Sequence, residues 1–293
     1  MTTFVLLTVT GLGLGALYFL IASGLSLIYG LMGVLNFAHG AFLTVGAYGM
    51  WFTESKLGGV PIWPRFLIGA VAGIAVGTLF AALVEIVLIR PLYRRHIEQV
   101  LVTVGLGLAT TALIVAIWGN DARPVPSPAW LGETTTFLGA HIPNDRFLLI
   151  VAAILVLAGL ETFLQRTRYG LIIRAGVENR AMVTALGIDV RKAFTLVFAI
   201  GGAAAALAGV LGNVYFTTVD PNVGTSLLIF AFIVVVIGGL GSLRGTAIAA
   251  VVVGLVQQYA NYYASSGLGD LSVVLLLALV LLARPRGLSG SFA

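Results

Sequence analysis

Apolar residues fill this chain in long blocks free of Asp, Glu, Lys and Arg, at residues 2–53, 66–84, 99–120, 147–160, 193–219, 221–243 and 245–269. About 20 apolar residues cross a bilayer as a helix. The blocks therefore predict membrane spans over residues 4–29, 38–52, 66–88, 99–118, 147–164, 193–214, 226–239, 246–263 and 271–283. Lipid offers backbone amides no partner outside their own segment, and the two-residue alternation of a membrane barrel is missing, so the spans are helices. The expected fold is all-α: one polytopic transmembrane domain over residues 1–293, with eight or nine crossings. The last span is short, and the first block is long enough to conceal a broken or re-entrant helix.

The polar residues gather between the blocks. With the N-terminus outside and nine crossings, the connections at 90–98, 166–192 and 243–245 and the tail after 283 share one side. That side holds Arg90, Arg94, Arg95, Arg166, Arg168, Arg174, Arg180, Arg191, Lys192, Arg244, Arg284 and Arg286, against Lys56, Arg65, Arg123 and Arg146 opposite. The positive-inside rule makes the richer side cytoplasmic, with the C-terminus in the cytoplasm. The excess of 16 basic over 11 acidic residues thus follows membrane topology, and no nucleic-acid partner is expected. Residues 119–146, rich in Pro, Gly and Thr, form an external loop suited to capping a mouth, with Trp118 and Trp130 at the interface. Met1-Thr2-Thr3 lacks the basic start of a cleaved signal, so the first span is expected to stay in the mature protein.

Composition then removes whole classes of chemistry. At 59% hydrophobic and 9% charged, the chain has no hydrophilic domain to carry a soluble activity. It has no cysteine, which excludes disulfides, thiolate metal sites and cysteine nucleophiles. Its three histidines include His96 and His141, which fall on opposite sides of the membrane, so no metal site is expected. The two lysines follow Ser55 and Arg191, where a P-loop requires Gly. The density of Gly238, Gly239, Gly241 and Gly245 lacks the strand, helix and acid of a dinucleotide site and predicts a structured turn at the membrane boundary. No catalytic constellation is present at membrane depth, so an enzyme is poorly supported. A small-residue break at Gly30–Gly40 echoes the one at Gly238–Gly245, as two parallel repeats would.

Few polar groups remain in the spans. Asn36 and His39 sit in Asn36-Phe37-Ala38-His39-Gly40, where polar groups cost several kcal/mol unless paired. They read as a self-satisfied helix break or as lining of a permeation path. Asn213, Gln257 and Asn261 are neutral candidates for the same path, or hydrogen-bonded glue between helices. Gln257 and Asn261, four apart, share a helix face. Glu85 and Glu161 read as interfacial ion pairs with Arg90 and Arg166 nearby. A carrier driven by protons or sodium usually places ionisable groups near the midplane, where this chain has almost none. Energy is then expected from a partner.

The segment at 166–192 holds eight of the 27 charged residues. Ile172, Ala175, Gly176, Asn179, Met182, Val183 and Leu186 fall at helical spacing as an apolar stripe, with Arg174, Glu178 and Arg180 elsewhere. A short amphipathic helix ending at Gly187, a left-handed cap followed by Ile188, fits this pattern. Such a helix lies on lipid or docks on protein. Docking is preferred because Ala175, Ala181 and Ala185 make a face small enough for a groove.

These pieces together resemble the permeases of branched-chain amino acid ABC transporters, the LivH-type inner-membrane subunit in particular. The resemblance runs along nearly the whole chain and rests on Gly24 to Gly30, Asn36 to Gly40, Gly46-Ala47-Tyr48, Arg90-Pro91-Leu92, Arg174-Ala175 with Asn179, Ala185, Gly187-Ile188, Gly238 to Gly245, and Arg284 to Leu288. It implies a bacterial importer in which this permease pairs with a homologous LivM-type permease. Two cytoplasmic ATPases holding ATP and magnesium drive it, and a periplasmic binding protein delivers the substrate. No cofactor is expected in this chain. By the same analogy Arg174, Glu178, Asn179, Arg180, Ala185, Gly187 and Ile188 form the ATPase-coupling region. The position after Asn36 to Gly40, often acidic in the family, is Ala41. Related systems import urea, short amides and other small polar molecules, which leaves the substrate open. The competing expectation is an ATP-independent channel or facilitator for a small neutral solute such as urea or an amide.

Overall fold

Helix α1 runs unbroken over Thr2–Met32, about 46 Å at 1.5 Å per residue and so longer than the hydrocarbon core. The computed structural model describes residues 2–33, 35–93, 95–178, 183, 190–265 and 267–289. After α1 come α2 (His39–Lys56), α3 (Ile62–Val84), a π turn at Glu85–Ile89, a 3-10 turn at Arg90–Leu92, and α4 (His96–Trp118). A short α5 (Ala129–Gly132) precedes α6 (Asn144–Arg166) and α7 (Arg168–Glu178). The chain closes with α8 (Val190–Phe216), α9 (Val223–Gly238), α10 (Leu243–Tyr263) and α11 (Leu268–Ala283).

Among the described residues six helices are long and apolar enough to cross a membrane, and α9 and α11 are shorter apolar helices. The all-α polytopic fold expected from the apolar blocks is therefore present. Burial divides the helices into two layers. Within their most apolar stretches, 67% of residues are buried in α1 and α8 against 17% in α4 and α6. The centre is thus α1 and α8, while α4 and α6 turn apolar side chains such as Leu101, Leu108, Ile154 and Leu155 outward. Lipid tails are as apolar as leucine, so this outward face costs nothing in a membrane.

The helices approach through small residues. A Cβ placed on Gly73 of α3 would lie 2.5 Å from the Gly46 carbonyl oxygen of α2 and 3.0 Å from the Met50 nitrogen. Without a hydrophobic drive between helices in lipid, such close backbone contact supplies the packing energy.

Two breaks interrupt the bundle at its basic end, the end that gathers Arg90, Arg166, Arg174, Lys192 and Arg244. In the first, Gly33 closes α1 with a bond to the Tyr29 carbonyl at 2.8 Å. Asn36 then turns the chain: its Oδ1 accepts from the Ala38 amide at 3.1 Å, its carbonyl accepts from the His39 amide at 3.2 Å, and α2 begins. The second is the turn expected from the clustered glycines. Gly239 and Gly241 take φ of 96° and 83°, values that glycine alone adopts freely. Ser242 caps α10 by accepting from the Gly245 amide at 3.1 Å. The tail returns to this turn, with Leu288 bonded to the Ile237 carbonyl at 2.8 Å and Ser289 Oγ to the Gly238 carbonyl at 2.7 Å. Gly30 lies against Gly241, so the two breaks touch.

The opposite end carries structure that the sequence pattern did not predict. Strand β1 (Arg123–Pro124) pairs with β4 (Thr218–Val219), and β2 (Thr134–Phe137) pairs with β3 (Ala140–Pro143). The β2–β3 turn has φ of 48° at Leu138 and 82° at Gly139, the backbone of a two-residue hairpin that usually uses Asn-Gly. Leucine in the first position hides that signal.

Gly73→Ala is expected to destabilise the protein by about 1–3 kcal/mol, because backbone has to shift to admit the methyl group. Gly159→Ala in α6, where nothing lies within 4 Å of the added atom, is expected to be neutral. Thermal unfolding of both variants in detergent checks the contrast; equal stability would show that the α2–α3 contact is slack.

Candidate functional site

The basic end presents α7. Thr167 lies between α6 and α7 in extended backbone and accepts from the Gly170 amide at 3.0 Å, which caps α7 one turn earlier than its apolar stripe suggests. The helix starts at Arg168 instead of near Ile172. Its buried anchor is Ile173 at 3% exposure, next to the predicted Ile172 and two residues before the predicted Ala175, which are both half-buried. Val183 of the stripe is buried. Tyr169, Leu171 and Arg174 face outward. Glu178 ends α7, whereas Asn179, Arg180, Ala185, Gly187 and Ile188 lie outside the described residues.

Beside α7 lies a cleft of about 530 Å³ lined by Arg90, Tyr169, Lys192, Thr195, Leu196 and Ala199. Its wall is a polar node at the end of α3. The Glu85 side chain is fully buried, pairs with Arg90 at 3.1 Å, and accepts from Thr195 Oγ1 at 2.6 Å and from the Tyr93 hydroxyl. Burial, and then the bond to Glu85, push the Tyr93 hydroxyl well above its ordinary pKa. The π turn begins at Glu85, and such turns often mark working positions in helices. The expected Glu85–Arg90 pair is present. Glu161 instead pairs with Arg244 at 2.6 Å. Arg166 is five residues further along α6, which turns it away from Glu161, and Arg244 opens α10 directly opposite. Thr195 and Tyr93 carried no signal in the sequence, since hydroxyls are ordinary near membrane boundaries.

The first break holds Asn36 and His39 together, 3% and 0% exposed. His39 Nε2 lies 3.0 Å from the Ile21 carbonyl of α1, and Gly24 leaves room for the ring. His39 Nδ1 and Asn36 Nδ2 have no hydrogen-bond partner. Asn36 also lines a small cavity with Gln99 and Thr103 of α4.

The other predicted pathway residues sit elsewhere. Asn213 Nδ2 donates to the Ala47 carbonyl at 2.9 Å and joins α8 to α2. Gln257 accepts from the Tyr18 hydroxyl at 2.8 Å and donates to Asp270 at 2.7 Å, which joins α1, α10 and α11. Asn261 Oδ1 accepts from the Gly269 amide at 3.0 Å at the start of α11. Gln257 and Asn261 thus share a face as their spacing predicts, but the five residues do not converge on one site.

The hairpin end adds charges that the sequence placed only as external. The Arg146 guanidinium stands 3.5 Å from the Tyr215 ring and pairs with Asp145 at 2.7 Å. Arg123 covers the Trp51 ring and donates to the Trp118 carbonyl, beside Tyr48. Glu54, at the end of α2, is buried with both carboxylate oxygens unpartnered. Among the described residues no group of three His, Asp or Glu could hold a metal ion.

The arrangement suits handling a small polar molecule between helices, with neutral amides inside and charge at both ends. The family model described as branched-chain amino acid transport system / permease component matches residues 7–284. The high-affinity branched-chain amino acid transport system permease protein LivH of Escherichia coli K12 is 29% identical over 287 residues, 96% of this chain and 93% of that one. The corresponding permease BraD of Pseudomonas aeruginosa is 31% identical over 290 residues, 96% of this chain and 94% of that one. LivM of Escherichia coli K12, a permease protein of the same named system, is 27% identical and covers 93% of this chain and 67% of its own length. The family match runs from α1 to the residue after α11, across both breaks, α7 and the Glu85 node, and the chain belongs to the family of branched-chain amino acid transport system permeases.

Proposed function

We propose that this chain is the membrane-spanning permease subunit of a bacterial ABC importer, and that it passes branched-chain amino acids or a related small polar solute. The full-length match to the LivH and BraD permeases carries this reading. The basic end is then cytoplasmic and the hairpin end external, as the positive-inside rule requires. The importer would pair this chain with a homologous LivM-type permease, two cytoplasmic ATPases that hold ATP and magnesium, and a periplasmic binding protein. A free-standing channel gains no support from relatives that are named as permeases of transport systems.

In this reading α7 and the residues after it receive the ATPase. Arg174, Tyr169 and Leu171 project from a helix anchored by Ile173, which suits a knob for a partner's groove. Glu178, Asn179, Arg180, Ala185, Gly187 and Ile188 would continue that surface. The Glu85 node lies behind it and ties the end of α3 to α8, so a push on α7 would reach both a central and an outer helix. Asn36 and His39 would line the solute path where α1 and α2 part. Asn213, Gln257 and Asn261 would meet solute only if their present bonds opened. Their neutral amides suit a solute that must be released as readily as it is bound.

The decisive experiment reconstitutes the chain with its ATPases, second permease and binding protein in liposomes and follows leucine. ATP-dependent uptake is expected; leucine flux through the single chain without ATP would replace this reading with the channel. Glu178→Arg and Gly187→Arg are each expected to leave insertion intact and to weaken ATPase association about tenfold or more, the effect of losing about 1.4 kcal/mol at an interface anchor. Co-purification and leucine-stimulated ATP hydrolysis measure it, and wild-type values for both variants would exclude this surface. Glu85→Ala removes the acceptor shared by Arg90, Tyr93 and Thr195, with an expected loss of about 1–3 kcal/mol. Thermal unfolding in detergent checks that figure, with Glu85→Gln recovering part of the loss.

A further inference from the structure

Helix α4 has its polarity reversed for a peripheral helix. Leu101, Leu108, Leu113 and Ile117 are exposed, whereas its buried positions are Gln99, Thr103, Thr110 and Ile114. Three of those four are polar, and Gln99 and Thr103 face the first break. Gln99 and Thr103, 2% and 1% exposed, meet Asn36 around a small cavity of about 10 Å³ whose remaining wall includes Ile28, Ile89 and Phe198. That volume is about the space of one water.

The cavity is polar but poorly satisfied. Asn36 Nδ2 has no partner, and the Gln99 side chain lines the same cavity. Thr103 spends its own proton on the Val100 carbonyl at 2.9 Å. It reaches the break only by accepting the Phe37 amide at 3.4 Å. A buried amide donor without a partner costs about 1–3 kcal/mol, so Asn36 gives the closed arrangement a penalty that water or a polar solute would relieve. Among the described residues the latch between α4 and the break is one long hydrogen bond. Each lining residue lies within about two helical turns of the basic end of its element, and so near the inner boundary in the proposed orientation.

We propose that Asn36, Gln99 and Thr103 form the closed inner gate of the solute path, which opens when α4 moves off the break. This rests on the permease reading above. Two amides and a hydroxyl offer donors and acceptors without net charge, beside the aliphatic and aromatic wall of Ile28, Ile89 and Phe198. Such a lining fits a zwitterionic or neutral solute with an apolar side chain. It can bond carboxylate and ammonium in turn without holding either as an ion pair would.

The chain has no cysteine, so single cysteines report directly. In the complete complex in liposomes, Gln99→Cys and Thr103→Cys are treated with a membrane-impermeant cationic methanethiosulfonate, at rest and during ATP-driven leucine uptake, and labelling is read on this chain by mass. Both positions are expected to be protected at rest and to react about tenfold faster or more during turnover, as for a site exposed only in a minor resting conformer. Leu101→Cys, which faces outward two residues from Gln99, is expected to stay unreactive in both conditions. Equal protection in the two states would overturn the gate and leave a cavity for one structural water. Fast reaction at rest would overturn it as well, and so would parental uptake by Gln99→Leu. Failure of the unsubstituted complex to take up leucine with ATP would instead overturn the permease reading, which separates the two conclusions.

Discussion

Lipid supplies no hydrogen bonds, and every backbone group this chain opens within the membrane has to be answered from inside the protein. The rest of the structure depends on that constraint. The two breaks are answered locally and then by each other: Asn36 folds onto the Ala38 amide, Ser242 onto the Gly245 amide, and Ser289 onto the Gly238 carbonyl. Contact between Gly30 and Gly241 brings both openings to the same place. A permease needs backbone that is not committed to continuous helix, and here that backbone is concentrated at one end, backed by the returning tail.

The helix layers follow from the same absence of water. Association between spans relies on close packing and a few polar bonds, so α1 and α8 are surrounded by contacts at Gly24, Gly46 and Gly73 in place of large side chains. Such interfaces are rigid where backbone meets backbone and yield where it does not. α4 belongs to the second kind, with its outer face apolar and its inner face polar. The Glu85 node is held by side chains instead, since one buried carboxylate gathers partners from the turn that follows α3 and from α8. If α7 receives the ATPase as proposed, force arriving there would meet the Glu85 node on one side and the more loosely held α4 on the other.

Much of this was legible in the chain. Charge-free blocks located the spans because each charge in lipid costs several kcal/mol, and the break at Asn36 and the turn at Gly238 to Gly245 followed from glycines and amides clustered where helix should continue. The Gln257 and Asn261 pair shares a face as its spacing requires, and Glu85 meets Arg90. The Arg166 pairing failed because proximity in sequence is not proximity across helices: Glu161 meets Arg244, 83 residues away. The β2–β3 hairpin was missed because Leu138 occupies a left-handed position usually marked by asparagine. α7 begins at Arg168, a turn before the apolar stripe, because Thr167 supplies the cap, and a threonine beside two arginines reads equally well as loop.

The sequence alone determined the solvent in which the protein folds, its polytopic helical class and the family pattern. These are properties of composition and order, which a bilayer reads directly. The tertiary structure decided which amides found partners. Asn213, Gln257 and Asn261 became ties between helices, while Asn36 and Gln99 were left facing a cavity. No local pattern separates these cases, because each depends on a helix that arrives from a distant part of the chain.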